Sequence, residues 1–310
     1  MSMGFGTRSI GRVIDDAIAM YRAHFKTYAT AALWIIFPAM LLQLAASSVY
    51  NYVYMDSVMS MSAASEEEAA AFLVSFIALY GVLLVGIAAA GLARAYYASS
   101  VYSSAEVMLF GQRSTPGEFL KAGRERWLAY LGATIVVGII LYGVVTVASM
   151  IGTFIICLLP AVLIGSVVGS LYFWARFSMI GPTVVVERAS LSAAFTRSAS
   201  LVRGNEWRTV GFLVMMALIN SVLQQAISSI TFIPLIVSIV QNPDAVWATG
   251  GFGAPGMVWL TVVTGLINAI ALSITVPLTS IATYSYYLDL RSRCEGMDLL
   301  MRARTLRGVA

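Results

Sequence analysis

Few side chains in this 310-residue chain could do chemistry, and most fail on the company they keep. His24 is the only histidine, and it sits two residues before Lys26 in a basic segment with no acid pair beside it. A metal needs several ligands, so a lone histidine reads as an interfacial structural residue. Cys157 and the serines of the apolar stretches lack a histidine base, which removes the usual activated nucleophile. Gly250, Gly251, Gly253 and Gly256 precede no Lys-Ser or Lys-Thr, so they form a flexible loop rather than a phosphate cradle. Two polar groups remain. Asn220 and Gln224 are four residues apart on one helical face and, with Asn268, make a polar seam that either lines a solute path or supplies interhelical hydrogen bonds. The C-terminal Asp289, Arg291, Arg293, Glu295 and Asp298 either act on a lipid or form a salt-bridged cytoplasmic cap.

The elements that must carry these residues are membrane spans. Residues are 59% hydrophobic and 11% charged, against about 25% charged in soluble domains. Apolar runs at about 27–53, 69–93, 128–150, 154–175, 209–240 and 256–288 contain no Asp, Glu, Lys, Arg or His, and each exceeds the roughly 20 residues that cross a ~30 Å hydrocarbon layer. The fold expected is an all-α integral membrane protein of six transmembrane helices, a single membrane domain over residues 1–310.

All nineteen Lys and Arg residues fall in the N-terminal segment, the second-to-third and fourth-to-fifth connections and the tail, on one face of that topology. That face carries ten acids and a net +9, whereas Asp56, Glu66, Glu67, Glu68 and Asp244 give the other face −5. Basic loops stay inside, so both termini are expected to be cytoplasmic. The N-terminal basic stretch contains Asp15 and Asp16 and precedes an apolar run of about 27 residues, too long for a signal-peptide core, so the first span is expected to be retained. Cys157 within a span and Cys294 in the tail should not pair.

Three of the basic blocks share a plan in which an amphipathic cytoplasmic helix runs into a transmembrane hairpin. An interfacial helix over residues 7–26 carries Ile10, Val13, Ile14, Ala17, Ile18, Tyr21 and Phe25 at helical spacing, with Arg12, Asp15, Asp16, Arg22 and Lys26 opposite. Thr115, Pro116 and Glu118 spell an N-cap, an N1 proline and a capping-box partner for a second helix through Trp127. Ser190 or Ser192 can open a third, which Gly204 would stop. Each block ends in a cation-aromatic junction: Arg22 and Lys26, then Arg124, Arg126 and Trp127, then Arg203, Trp207 and Arg208. Such residues suit the headgroup layer.

The tail from Tyr286 to Leu299 is similar to the closing "YYDLRxRxEGxDL" pattern of a bacterial membrane-domain family named for its occasional fusion to glycerophosphodiester phosphodiesterases. Ala193 to Arg208 resembles that family's middle motif and Ile14 to Phe25 its opening one. In the tail, Leu288 separates the tyrosines from Asp289, a departure from the pattern. The resemblance implies a six-span membrane domain, mostly without assigned function; a phosphodiesterase of that kind uses a pair of histidines with acids around a metal, and this chain has His24 alone.

Pro234 and Pro277 are expected to break or kink the two longest stretches, with Phe232 to Val240 lying flat or re-entering. Gly165-x-x-x-Gly169 and the small residues from Gly86 to Gly91 permit close helix contact, within one chain or at a homo-oligomer seam. The residues together point to a non-enzymatic scaffold, membrane-organising or accessory component that contacts anionic phospholipid headgroups, with no cofactor, metal or nucleic acid. The alternative is a facilitator or permease subunit for a small neutral or amphipathic solute. No soluble partner can be named.

Overall fold

The computed structural model describes residues 8–60, 66–109, 114–154, 159–231 and 253–296, with positions 233, 236 and 240. The described residues form helices and no strand: α1 (Ile10–Ala23), α2 (Phe25–Ser60), α3 (Glu66–Leu109), α4 (Pro116–Gly123), α5 (Trp127–Phe154), α6 (Leu159–Phe177), α7 (Ile180–Val185), α8 (Leu191–Val202), α9 (Glu206–Ser228) and α10 (Gly253–Glu295). Among the described residues, five stretches are long and apolar enough to cross a membrane: Phe25–Tyr54, Phe76–Ala105, Trp127–Val147, Glu206–Ser228 and Thr261–Glu295. The expected fourth span corresponds to α6, a helix of 19 residues that is not among those five. Cys157, Pro234, Asp244, Asp298 and the glycines from Gly250 to Gly251 lie outside the described residues.

The chain divides into two compact units. The first comprises Met1–Ala31, Ala95–Ile219 and Pro277–Ala310, and the second Ala32–Arg94 and Asn220–Val276.

In the first unit, local signals start and stop the short helices. Ser9 caps α1 by accepting the Arg12 N–H at 3.3 Å. Helical spacing then buries Val13, Ile14, Ala17, Met20 and Tyr21. Thr115 and Glu118 form the reciprocal capping box of α4, with Pro116 inside its first turn. Ser190 occupies the N-cap position of α8 without a side-chain hydrogen bond, and Gly204 follows the helix at φ +79°. That left-handed backbone suits glycine, which has no Cβ to clash.

The span expected to end near Ala93 does not end there. α3 runs 44 residues, roughly 66 Å at 1.5 Å per residue and well beyond a ~30 Å hydrocarbon layer. Its last part looks like a polar loop in sequence because Ser99, Ser100 and Ser104 punctuate it. All three are buried, and their hydroxyls donate to the carbonyls of Gly123, Tyr96 and Ser100 at 3.0, 3.0 and 2.7 Å. Hydrogen-bonded hydroxyls bury at little cost. Gly123 permits this, since a Cβ there would fall 2.7 Å from the Ser100 Cα and N. α4 thereby drives Phe119, fully buried, between Tyr28 and Tyr97, each ring centroid 5.6 Å away. The Tyr97 hydroxyl donates to the Tyr28 carbonyl at 3.0 Å. In the same unit α5 packs against α6 and α7, and α7 against α8, around Ala133, Ile180, Val184 and Ala194.

In the second unit, Gly86 lets α3 approach α2, where a Cβ would meet the Ala46 Cβ at 2.8 Å. Gly165 and Gly169, in the first unit, have no atom within 4 Å of the Cβ position. The expected break at Pro277 does not occur: α10, 43 residues in all, is continuous through it. The missing proline N–H deprives only one carbonyl, and the turns on either side keep their own ladders.

Candidate functional site

The residues from Asp289 to Glu295, read in sequence as the start of a tail, are the last two turns of α10. Helical geometry therefore pairs residues four apart. Arg293 Nε lies 3.0 Å from Asp289 Oδ2, and Arg291 Nε lies 2.9 Å from Glu295 Oε2. Each pair nucleates a larger network within the first unit.

The first network closes around Asp289, whose side chain is fully buried. Its Oδ1 accepts the Arg8 backbone N–H at 2.7 Å, and its Oδ2 accepts from Arg208 Nη2 at 2.8 Å as well as from Arg293. The Arg8 carbonyl accepts from Arg208 Nη2 at 2.5 Å and from Arg293 Nη2 at 2.8 Å. The Arg8 guanidinium turns to Asp16 at 2.9 Å. One backbone unit of the N-terminal arm is thus clamped by one carboxylate and two guanidiniums. Beside it Tyr286 stacks on Phe212 with centroids 4.2 Å apart and shares a hydrogen bond with Thr209 at 3.0 Å.

The second network joins α10 to the connection between α7 and α8. Arg197 grips Glu187 with Nε and Nη2 at 2.8 and 3.1 Å and also contacts Glu295. The Tyr287 hydroxyl donates to Glu187 Oε1 at 2.6 Å. Burial alone would push the Glu187 carboxyl up, but hydrogen bonds from Arg197 and Tyr287 and the charges of Arg197 and Arg291 outweigh it and hold the group below the ordinary 4.5. The hydrogen bond to Glu187, followed by that to Glu295, holds Arg197 above its ordinary range against burial. A depressed carboxyl stabilises the fold above its unfolded value, and that stability is lost as pH falls through the folded one. Thermal stability should accordingly be flat from neutrality to about pH 5 and fall below about 4.5. Glu187→Gln, followed by thermal unfolding across pH, should lower the plateau and flatten the acid limb. An unchanged acid limb would contradict this assignment.

Both networks commit their carboxylate oxygens to the protein. Among the described residues no group of three or more His, Cys, Asp or Glu is placed to hold a metal. The cap residues Asp289, Arg291, Arg293 and Glu295 are brought together, while Asp298 lies outside the described residues. Arg8, Glu187 and Arg197 complete the networks and were not singled out from sequence. Only the four-residue spacing within α10 was visible there; the partners lie 81 to 285 positions away.

The interfacial candidates separate into two groups. Arg22, Lys26, Arg124, Arg203 and Trp207 are exposed, Trp207 by 76%. Arg126 and Trp127 are half-buried, Trp127 standing edge-on to Tyr96 at 5.8 Å. Arg208 turns inward to Asp289. In the second unit two of the three seam residues are bonded, Gln224 Nε2 donating to Asn268 Oδ1 at 3.5 Å, and Ser228 Oγ donates to the same oxygen at 3.4 Å. Cys294 is an exposed free thiol whose Sγ lies 3.4 Å from the Leu201 carbonyl.

Long apolar helices exposing Ile77, Val85, Ile139, Tyr142 and Val222 to their surroundings define the class, an all-helical protein built for membrane insertion. Within that class the chain belongs to the family described as Domain of unknown function (DUF7847), which matches residues 31–287. The match begins after Arg8 and ends just short of Asp289, so Arg8, Asp289 and Arg293 of the first network fall outside it and Arg208 falls inside. No curated protein and no solved structure matches the chain.

Proposed function

We propose that this is a six-span, non-enzymatic protein of a bacterial inner membrane, with both termini cytoplasmic. In this reading it is a scaffold, membrane-organising or accessory component whose cytoplasmic face contacts anionic phospholipid. The observation that carries the proposal is a division of labour among the cations. Arg8, Arg197, Arg208, Arg291 and Arg293 engage Asp16, Glu187, Asp289 and Glu295, whereas Arg22, Lys26, Arg124 and Arg203 stand exposed. The pairs take up five cations and four acids, so the rest of this face keeps its positive excess, and each exposed cation contributes about 1 kcal/mol against acidic lipid. Short helices α1, α4 and α8 each precede a long one, α2, α5 and α9, after a break of one to three residues. That order supports three repeats of an interfacial helix running into a hairpin.

A solute facilitator would need Asn220, Gln224 and Asn268 to face a path. The hydrogen bond from Gln224 to Asn268 favours a packing role for them instead. To test the lipid reading, the purified protein would be offered phosphatidylglycerol and phosphatidylcholine in equal amounts. Preferential retention of phosphatidylglycerol is expected, and equal retention would remove the proposal.

A further inference from the structure

We infer that Arg94, on α3, with the turn of α2 at Met40, forms a discrete binding site for the phosphate of an anionic phospholipid; the site rests on the lipid reading above and locates one contact within it. Arg94 is the only Lys or Arg in the second unit. Its guanidinium Nη2 points to the Met40 Sδ at 3.7 Å. A thioether is a weak acceptor, and the guanidinium has five donors to satisfy. No carboxylate of the described residues lies within salt-bridge distance of it. In this respect it differs from Arg8, Arg197, Arg208, Arg291 and Arg293, each of which has a carboxylate partner.

Its level along α3 is that of a headgroup. Ile77, Leu84, Val85, Ile87 and Leu92 are exposed apolar residues, whereas Ala93, Ala95 and Tyr97 are buried. Arg94 is itself exposed at this change of surface. From Ile77 to Arg94 the helix rises roughly 26 Å, close to the ~30 Å of a hydrocarbon layer. On α2, Trp34 lies six residues before Met40 and is 64% exposed, an amphipathic ring of the kind that marks the interface. A cation at that depth extends its head toward phosphate while its stem stays in hydrocarbon, and a planar guanidinium matches phosphate oxygens in a bidentate fork.

The test uses the full-length protein in detergent. Phosphatidylglycerol, phosphatidylcholine and inorganic phosphate are supplied separately, and modification of Arg94 by phenylglyoxal is followed by peptide mass spectrometry. Phosphatidylglycerol should slow modification about fivefold, with phosphatidylcholine and inorganic phosphate giving little protection. Equal rates in all three would overturn the site, and protection by inorganic phosphate alone would identify a free-anion site instead. Arg94→Gln should lower the retained ratio of phosphatidylglycerol to phosphatidylcholine, and Arg94→Lys should lower it less. A wild-type protein with no preference for phosphatidylglycerol overturns both the site and the broader reading. Preference retained in full by Arg94→Gln, with Arg94 unprotected in the wild type, overturns the site alone.

Discussion

Asp289→Ala should cost about 3 to 5 kcal/mol, the largest loss expected from any single charge in this protein. The carboxylate is fully buried and is the common acceptor of the Arg8 backbone, Arg208 and Arg293. Removing it leaves two half-buried guanidiniums facing each other, with the Arg8 carbonyl as their shared acceptor. The Arg8 backbone N–H would then lose Asp289 as its acceptor, which weakens the hold of α10 on the N-terminal arm. An apparent Tm lower by on the order of 10 °C is expected in detergent. Asp16→Ala releases only the Arg8 side chain from a partly exposed partner, and should cost about 1 kcal/mol. Equal effects of the two substitutions would show that Asp289 is not the hub.

Phe119→Ala should be comparably damaging, at about 3 to 5 kcal/mol, since it empties a fully buried aromatic site between Tyr28 and Tyr97. The helix that carries Phe119 is only eight residues long. Too short to hold itself together, it depends on its capping box and on this burial. The loss should therefore spread to α3, whose serine hydroxyl at Ser99 is satisfied by the α4 carbonyl of Gly123. Hydrogen exchange over residues 95–109 would report it as faster exchange there than in the wild type. Unchanged exchange over α3 would contradict the coupling.

These two sites mark what sequence reasoning reached and what it did not. The start of α4 was readable because Thr115, Pro116 and Glu118 act on their own backbone within one turn. The pairings Asp289 to Arg293 and Arg291 to Glu295 were implicit in four-residue spacing, once α10 is known to continue past Leu288. Hydropathy could not show that continuation, since charged residues look like the end of a span. Nor could it show that α3 continues past Arg94. Ser99 donates to the Gly123 carbonyl and Ser100 packs where only a glycine at 123 leaves room, contacts that are remote in sequence. For the same reason Arg208 read as an interfacial cation, although its guanidinium points inward to Asp289. A count of basic residues by loop finds the face on which cations lie. It does not distinguish the cations that build that face from those that remain free to meet a partner.

That distinction is the centre of the proposal, and native mass spectrometry of lipid-bound protein tests it most directly. Wild-type protein would be compared with a variant in which the exposed Arg22, Lys26, Arg124 and Arg203 are all replaced by Gln. The account predicts that wild-type protein retains phosphatidylglycerol over phosphatidylcholine, and that the variant loses most of this preference while its Tm stays within about 2 °C, as expected for exposed sites. A variant that folds as well as wild type and retains phosphatidylglycerol equally would contradict it.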